Sequence, residues 1–231
     1  MSGARYERRR GEIATYFDRT AADAWARLTS DAPVSRIRQT VRAGRDSMRA
    51  TLLNWLPQDL SGARLLDAGC GTGALAMEAA QRGAQVVAVD LSPTLVTLAQ
   101  ERLENEPAAQ NITFMVGDMR HLELGHFDYG VAMDSLIHYQ AEDMVNSLHQ
   151  MSESVTRSIV FTFAPRTALL GAMHAVGGLF PRGNRAPSIE PIAQSDLWRR
   201  LDRGLDAWQR GRSQRVNSGF YISQACELVK S

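Results

Sequence analysis

Cysteine is scarce in this chain of 231 residues, and lysine is scarcer still. The two cysteines, Cys70 and Cys226, cannot build a disulfide framework, so a reducing compartment such as the cytoplasm is expected. Nor can they form a metal site without several other ligands, and we expect no protein-bound metal. Lys230 is the only lysine among 26 basic residues. We attribute this bias mainly to codon usage, although arginine also suits bidentate recognition of carboxylates.

Charge of one sign and long apolar runs are also missing. A formal net charge of +1 gives no global reason to expect nucleic acid as a partner. The basic start, MSGARYERRR, is not followed by the apolar region of a secretory signal. The most apolar later segment, residues 168–180, is too short to span a bilayer. We therefore expect a soluble, cytoplasmic protein with at most peripheral membrane contact.

What the chain does have is a periodic pattern typical of one α/β domain with appendages. Apolar residues recur at helical spacing over residues 11–56, which predicts two helices in an N-terminal helical arm, residues 1–57. From residue 64 onward, short β-rich runs alternate with helices, and this predicts a mostly parallel sheet in a domain over residues 58–231. Within it, residues 165–193 are interpreted as a cap insertion and residues 206–230 as an antiparallel hairpin.

The stretch LLDAGCGTG places three glycines between a predicted strand and a predicted helix. Without side chains at Gly69, Gly71 and Gly73, backbone N–H groups and the helix N-terminus can approach a ligand. The same loop also satisfies the G-x-G-x-x-G/A dinucleotide fingerprint, so taken alone it is ambiguous. Asp67 shifts the balance, because its carboxylate would repel a pyrophosphate but suits a zwitterionic, cationic ligand.

Two further acids, Asp90 and Asp118, end predicted strands at the same edge of the sheet. An acid after the second strand can accept both ribose hydroxyls, and one after the third can accept an adenine amino hydrogen. Together with Asp67 and the glycines, they resemble the set found in class I S-adenosylmethionine-dependent methyltransferases, over roughly residues 64–163. The resemblance implies a Rossmann-like fold and S-adenosylmethionine as the methyl donor, released as S-adenosylhomocysteine.

The same resemblance assigns roles to individual positions. It places the methionine moiety against the glycine loop, with Asp67 supporting the loop and the amino group indirectly. It gives the ribose to Asp90, and the adenine to Leu91, Asp118 and Met119. The full set of expected cofactor-binding residues is Asp67, Gly69, Cys70, Gly71, Gly73, Asp90, Leu91, Asp118, Met119 and Asp134.

The acceptor class is read after the fourth strand, where the chain has MDSLIHY. This loop lacks the N-P-P-Y motif of many nucleic-acid and protein N-methyltransferases, which favours a small-molecule acceptor. Methyl transfer from a sulfonium is an in-line displacement, so the enzyme mainly aligns the acceptor and excludes water. His138 is the candidate base or hydrogen-bond donor to the acceptor, with Tyr16 and Tyr139 as candidate polar partners.

Four segments narrow the resemblance: TYFDRTAADAWARL, RQTVRAGRDSM, MDSLIHY and FTFAPRTALLGAMHAVGGLFPR. Together they are similar to the magnesium-protoporphyrin IX O-methyltransferase family over nearly the whole chain. The resemblance implies methyl esterification of one propionate of magnesium protoporphyrin IX in (bacterio)chlorophyll biosynthesis, and the porphyrin-binding subunit of magnesium chelatase as a partner. The oxygenic branch has a tyrosine where this chain has Thr29, so a catalytic role of that tyrosine cannot be transferred.

A propionate acceptor is already ionised at neutral pH, so His138 would orient the carboxylate or shield its charge rather than remove a proton. The apolar macrocycle needs an apolar cover, for which we expect Met173 and Phe180 of the cap, while Arg166 is a candidate anchor for the second propionate. A quinone-type phenol as acceptor, a nicotinamide dehydrogenase and a non-catalytic sensor of S-adenosylmethionine remain as alternatives.

Basic side chains recur at helical spacing in the second predicted helix: Arg38, Arg42, Arg45 and Arg49. Such a stripe is usually a solvated face. The alternative is recognition of a propionate, an acidic partner subunit or anionic lipid.

Overall fold

The computed structural model describes residues 2–20, 22–30, 33–120, 124–166 and 188–231. Within these residues the helices are α1 (Ser2–Thr15), α2 (Ala22–Leu28), α3 (Arg36–Trp55), α4 (Ala74–Gln81), α5 (Pro93–Leu103), α6 (Ala141–Ser154) and α7 (Gln194–Leu201). The strands are β1 (Arg64–Ala68), β2 (Gln85–Asp90), β3 (Ile112–Val116), β4 (Phe127–Ala132), β5 (Val155–Phe163), β6 (Trp208–Ser218) and β7 (Tyr221–Lys230). Shorter helical turns occupy Tyr16–Thr20, Pro107–Asn111 and Leu136–His138.

The strands form one sheet in the order β3-β2-β1-β4-β5-β7-β6. The pairs among β1 to β5 are parallel, whereas β7 runs antiparallel between β5 and β6. The predicted mostly parallel sheet with a C-terminal antiparallel hairpin is therefore confirmed. Chain order reverses between β1 and β4, and the crevice at such a switch point is where sheets of this kind bind ligands.

The helices after β1, β2 and β4 begin at Ala74, Pro93 and Ala141. The Ser92 hydroxyl accepts a hydrogen bond from the Leu95 amide at 3.2 Å and so caps the first turn of α5. At the start of α7, Ala193 occupies the cap position, and no side chain accepts a bond from the first turn.

The N-terminal region differs from the two predicted helices. The first of them begins earlier, at Ser2, and a π-helical turn at Tyr16–Thr20 separates it from α2. The second is one long helix, α3, whose Met48, Leu52 and Leu53 are fully buried in the same apolar cluster as residues of β1 and β2. The boundary at residue 57 stays a prediction, because α3 packs into the core of the following domain.

Residues 167–187, most of the predicted cap insertion, lie outside the described residues. On either side of them, Pro165 and Ile192 form a parallel bridge, and the Ile192 amide donates to the carbonyl of Ala164 at 3.0 Å. The chain thus returns to the carboxyl end of β5 after the insertion. None of the described helices combines the length and the apolar character needed to cross a membrane.

Candidate active site

A cavity of about 290 Å³ opens at the carboxyl ends of β1, β2 and β4, beside the switch point of the sheet. The glycine loop and the acid after β2 line one side, and the N-terminal helices and the loop after β4 line the others. Its more exposed apolar lining residues, which we call the apolar rim, are Val41, Ile137, Ile189 and Phe220. The cavity therefore combines polar backbone at the glycine loop with a broadly apolar rim.

The glycine loop follows β1 directly, and its backbone adopts conformations that other residues rarely adopt. Gly69 has φ +89° and Gly71 has φ +53°, and a Cβ at Gly69 would lie 2.3 Å from the Cβ of Ser135. The loop is therefore pressed against the turn after β4, and Gly69, Cys70 and Gly71 line the cavity as predicted. Gly73 does not line it. A Cβ there would meet Phe114, Ala99 and Leu103 at 3.1–3.2 Å, so this glycine permits close packing of the helix start.

Asp67, at the end of β1, is almost completely buried beneath the loop. Among the described residues, its Oδ2 atom has no hydrogen-bond partner. Burial, reinforced by the nearby carboxylate of Asp90, raises the pKa of Asp67 to about 7. A buried carboxyl group of this kind favours a cationic partner, which agrees with the prediction of a zwitterionic ligand.

Asp90 ends β2, and its carboxylate connects the glycine loop to the start of α5. Its carboxylate accepts hydrogen bonds from the amides of Gly71 at 2.8 Å and Ser92 at 3.0 Å. Burial raises its pKa, while these backbone donors oppose the shift. Both Asp90 and Leu91 line the cavity. Burial also raises the pKa of the Cys70 thiol, which keeps it protonated at neutral pH and unsuited to act as a nucleophile.

Asp118 is positioned differently from the adenine contact that the sequence predicts. Its Oδ1 accepts hydrogen bonds from the Tyr6 hydroxyl at 2.7 Å and the Arg120 amide at 3.0 Å, and Arg10 lies 3.4 Å from Oδ2. The carboxylate thus faces α1, and its neighbour Met119 lines the cavity instead. An adenine contact at Asp118 stays a prediction.

Asp134, in the turn after β4, holds a network that joins three parts of the chain. It is the non-glycine residue with positive φ, +55°, among the described residues. Arg45 of α3 donates to its carboxylate at 2.7 Å, and the Tyr221 hydroxyl lies 3.1 Å from both carboxylate oxygens. The Thr162 hydroxyl of β5 receives the Asp134 amide at 2.7 Å. Backbone strain of this kind persists only where surrounding contacts maintain it, as this network does.

His138 and Tyr16 both line the cavity, as the catalytic prediction requires. His138 is buried, lines the cavity and has its Nδ1 atom 3.4 Å from the carbonyl oxygen of Ser188. The Phe17 ring contacts both, with its centroid 5.8 Å from that of His138 and 5.2 Å from that of Tyr16. Burial raises the pKa of Tyr16, so its phenol is neutral at neutral pH. Tyr139 also lines the cavity, but it is nearly fully buried.

Most of the predicted acceptor contacts do not line the described cavity. Met173 and Phe180 lie outside the described residues. Arg166 is exposed and does not line the described cavity, although its amide donates to Ile192. The sequence reading missed Phe220 at the tip of the β6–β7 hairpin, which is 50% exposed at the cavity mouth. An aromatic residue beside a turn glycine was the available signal.

The predicted basic stripe on α3 is not a solvated face. Arg38 is exposed, but Arg42 donates to the carbonyls of Leu28 and Arg27 at 2.9 and 2.7 Å. Arg49 pairs with Glu78 and Asp46, and Arg45 pairs with Asp134. These three arginines border a second cavity of about 250 Å³ on the other side of the glycine loop, which is also lined by Asp67 and Thr72.

Among the described residues, no group of three or more His, Cys, Asp or Glu side chains is arranged to hold a metal ion. The unpartnered oxygen of Asp67 and the close backbone at Gly69 and Gly71 fit a ligand that has an ammonium group and a ribose, as S-adenosylmethionine does.

Comparison with known proteins agrees with this geometry. A family model described as magnesium-protoporphyrin IX methyltransferase C-terminus matches residues 132–230, and one described as methyltransferase domain matches residues 65–157. The chain is 50% identical over 223 residues to the magnesium-protoporphyrin O-methyltransferase of Rhodobacter capsulatus, covering 96% of this chain and 97% of that relative. A ubiquinone biosynthesis O-methyltransferase of Xanthomonas oryzae is 42% identical, but over only 35% of this chain.

The same relationship appears in three dimensions. The crystal structure of magnesium protoporphyrin IX methyltransferase from Synechocystis PCC 6803 with bound SAH has a TM-score of 0.81 and 30% sequence identity, and the match covers 95% of this chain and 98% of that one. The agreement in sequence and fold over nearly the full chain extends well beyond the 35% of this chain that the Xanthomonas oryzae enzyme matches. This chain therefore belongs to the magnesium-protoporphyrin O-methyltransferase family.

Proposed function

We propose that this protein transfers a methyl group from S-adenosylmethionine to one propionate carboxylate of magnesium protoporphyrin IX, giving the monomethyl ester for (bacterio)chlorophyll biosynthesis. The observation that carries the proposal is the composition of the cavity. The donor loop at Gly69 and Gly71 and the buried His138 share one space, and the mouth of that space is apolar. A flat apolar acceptor with a charged side chain at its edge fits this distribution.

The chemistry requires little of the protein beyond alignment. Bound S-adenosylmethionine supplies an electrophilic methyl group on a sulfonium. A propionate oxygen forms the new C–O bond as the C–S bond breaks, and no proton is transferred because the propionate is already ionised. The apolar rim excludes water from the carboxylate and so strengthens its attraction to the sulfonium.

His138 and Tyr16 are the proposed catalytic residues, and both act as hydrogen-bond donors in this mechanism. Because the Nδ1 of His138 faces the carbonyl oxygen of Ser188, its ring carries both protons when Nε2–H donates to the acceptor. A phenol is neutral at neutral pH, and burial raises the pKa of Tyr16 further, so Tyr16 can donate to a carboxylate oxygen but cannot act as a base. Two contacts fix the position of His138. Its backbone carbonyl accepts a hydrogen bond from the Arg9 side chain at 2.8 Å, and its ring faces the carbonyl oxygen of Ser188. Such a fixed ring can orient the carboxylate in line with the methyl group.

The porphyrin plane is proposed to lie against the apolar rim. Ile137, Ile189 and Phe220 come from three separate segments yet border one opening, and Phe220 remains half exposed there. An exposed aromatic side chain at a cavity mouth is typical of a binding surface for a flat ligand. Met173, Phe180 and Arg166 remain predicted acceptor contacts from the cap.

Purified protein should be mixed with radiolabelled-methyl S-adenosylmethionine and one of three acceptors: magnesium protoporphyrin IX, metal-free protoporphyrin, or a phenolic quinone precursor. We expect label in a base-labile ester of the magnesium porphyrin. Label in the phenol alone would show that the donor site is interpreted correctly and the acceptor wrongly. The absence of donor binding would contradict the roles of Asp67 and Asp90.

Variants of His138 separate orientation from proton removal. His138→Ala should lower kcat while leaving the affinity for S-adenosylhomocysteine within about twofold, since the ring contacts the acceptor. His138→Gln retains a hydrogen-bond donor but no base, so partial recovery of kcat is expected. If His138 were a base, the glutamine variant would be as slow as the alanine variant.

The porphyrin-binding subunit of magnesium chelatase stays a predicted partner, and its transfer of the porphyrin requires access to the cavity. Peripheral membrane contact also stays a prediction.

A further inference from the structure

Arg9 lies on the face of α1 that packs against the turn holding His138. Tyr6, three residues before Arg9, and Ile13, four residues after it, are buried in one apolar cluster with Tyr139. The rings of Tyr6 and Tyr139 are stacked, with their centroids 5.2 Å apart. Residues three and four apart lie on the same face of a helix, so this packing directs the Arg9 side chain to the same turn.

The guanidinium of Arg9 joins two segments that are distant in the chain. Its Nε atom donates to the carbonyl of His138 at 2.8 Å, and its Nη2 atom donates to the carbonyl and the hydroxyl of Ser188, both at 2.7 Å. Carboxylates of Glu12 and Glu190 lie 3.2 Å from Nη1 and 3.4 Å from Nη2. Each guanidinium nitrogen therefore has a partner, and a planar fork bound in this way holds both segments in one geometry.

The carbonyl oxygen of Ser188 is shared by Arg9 and the ring of His138. The Nδ1 atom of His138 lies 3.4 Å from this oxygen, and a carbonyl can only accept, so Nδ1 carries the proton in this contact. The backbone beside it is paired as well, since the Glu190 amide donates to the carbonyl of Ile137 at 2.8 Å. The two nitrogens lie on different edges of an imidazole, so the contact at Nδ1 also decides the direction of Nε2.

We propose that Arg9 is a positioning residue for His138. It fixes the Ser188 carbonyl, and this carbonyl holds the ring in the orientation in which Nε2–H donates to the propionate. The proposal deepens the proposed function and rests on it for the role of His138. Arg9 does not line the described cavity, so its effect on the reaction passes through the residues that it holds.

A double-mutant cycle with His138 separates positioning from general support of the fold. The measured quantity is kcat, with radiolabelled-methyl S-adenosylmethionine and saturating magnesium protoporphyrin IX. Arg9→Gln should lower kcat about ten- to hundredfold in the otherwise native chain, the size expected for a misplaced catalytic group. In the His138→Ala background it should lower kcat less than about twofold, because the ring that it positions is missing. Arg8→Gln, which removes an exposed charge from the same helix, should change kcat in neither background.

Nitrogen-15 NMR spectra of protein with labelled histidine test the ring itself in the absence of an acceptor. The chain has five histidines, and His138→Ala identifies the signals of His138 by their loss. The chemical shift of a ring nitrogen differs between its protonated and unprotonated forms. We expect a protonated Nδ1 at His138 in the native chain and a mixture of both forms in Arg9→Gln.

Two results would overturn the proposal. An equal loss of kcat in both backgrounds would give Arg9 a purely structural role, and unchanged His138 signals in Arg9→Gln would show that it does not orient the ring. If Arg9→Gln does not fold, Arg9→Lys replaces it, with an expected loss of about three- to tenfold in the native background alone, and the same two results count against it. If the native chain methylates no porphyrin, the proposed function fails, and the spectra still decide whether Arg9 orients His138.

Discussion

The replacement of Gly69 by alanine tests how closely the two loops of the active site must approach. At φ +89°, any L side chain strains the backbone, at a cost of about 1–2 kcal/mol. The new Cβ would also lie 2.3 Å from the Cβ of Ser135, whose hydroxyl is fixed by a 2.7 Å bond to the carbonyl of Ala68. Such overpacking adds about 1–3 kcal/mol. Gly69→Ala should therefore lower the free energy of unfolding by about 2–5 kcal/mol.

Gly62→Ala is the matched control, because Gly62 has a similar φ of +77° but no atom within 4 Å of the added Cβ. The free energy of unfolding of Gly62→Ala should fall only by the cost of backbone strain, about 1–2 kcal/mol. Urea unfolding followed by circular dichroism measures both variants, and calorimetry measures their affinity for S-adenosylhomocysteine. We expect weaker binding for Gly69→Ala alone. Equal stability losses, together with an unchanged affinity of Gly69→Ala, would refute the close approach of the two loops.

Three further outcomes follow from single contacts. Asp67→Asn should stabilise the unliganded protein at pH 8 by about 1–3 kcal/mol and much less at pH 4. The native pKa of about 7 lies above the unfolded value near 4, so wild-type stability falls as pH rises between them; parallel unfolding curves from pH 4 to pH 8 would contradict this. Phe220→Ala should raise the KM for magnesium protoporphyrin IX about tenfold without changing donor affinity, whereas Val116→Ala, equally exposed but outside the cavity lining, should do neither. Tyr6→Phe should lower the free energy of unfolding by about 1–3 kcal/mol in thermal denaturation, because the buried carboxylate of Asp118 loses a donor; an unchanged midpoint would show that this bond contributes nothing.

Local sequence signals predicted the elements that surround the donor. Apolar runs ending in Asp67 and Asp90 predicted two strands that meet at one edge, and the structure pairs them in parallel. The same signals do not show which distant segment contacts a side chain. Asp118 follows a strand as predicted, and the hydroxyl of Tyr6, 112 positions away in the chain, donates to its carboxylate. No local pattern contains that information.

The arginines of α3 also show what a local pattern predicts and what depends on distant contacts. Their helical spacing is a property of the sequence, and it places them on one face of a helix. The orientation of that face depends on Met48, Leu52 and Leu53, which are buried against the sheet. Because these three residues face the sheet, Arg45 faces the glycine loop. The sequence reading of a solvated stripe was wrong for this reason.

The sequence by itself determined the order of strands and helices, the glycine loop and the family, because each depends on residues that are close in the chain or recur with a fixed period. Only the tertiary structure decided which side chains share the cavity. Phe220, Tyr221, Arg45 and Trp25 reach it from the C-terminal hairpin and the N-terminal helices, because β7 inserts beside β5 and α3 packs on that hairpin. These contacts join residues that are far apart in the chain, such as Phe163 and Gln224 of β5 and β7. Their free energy comes from burying apolar surface that no local pattern assigns to a partner.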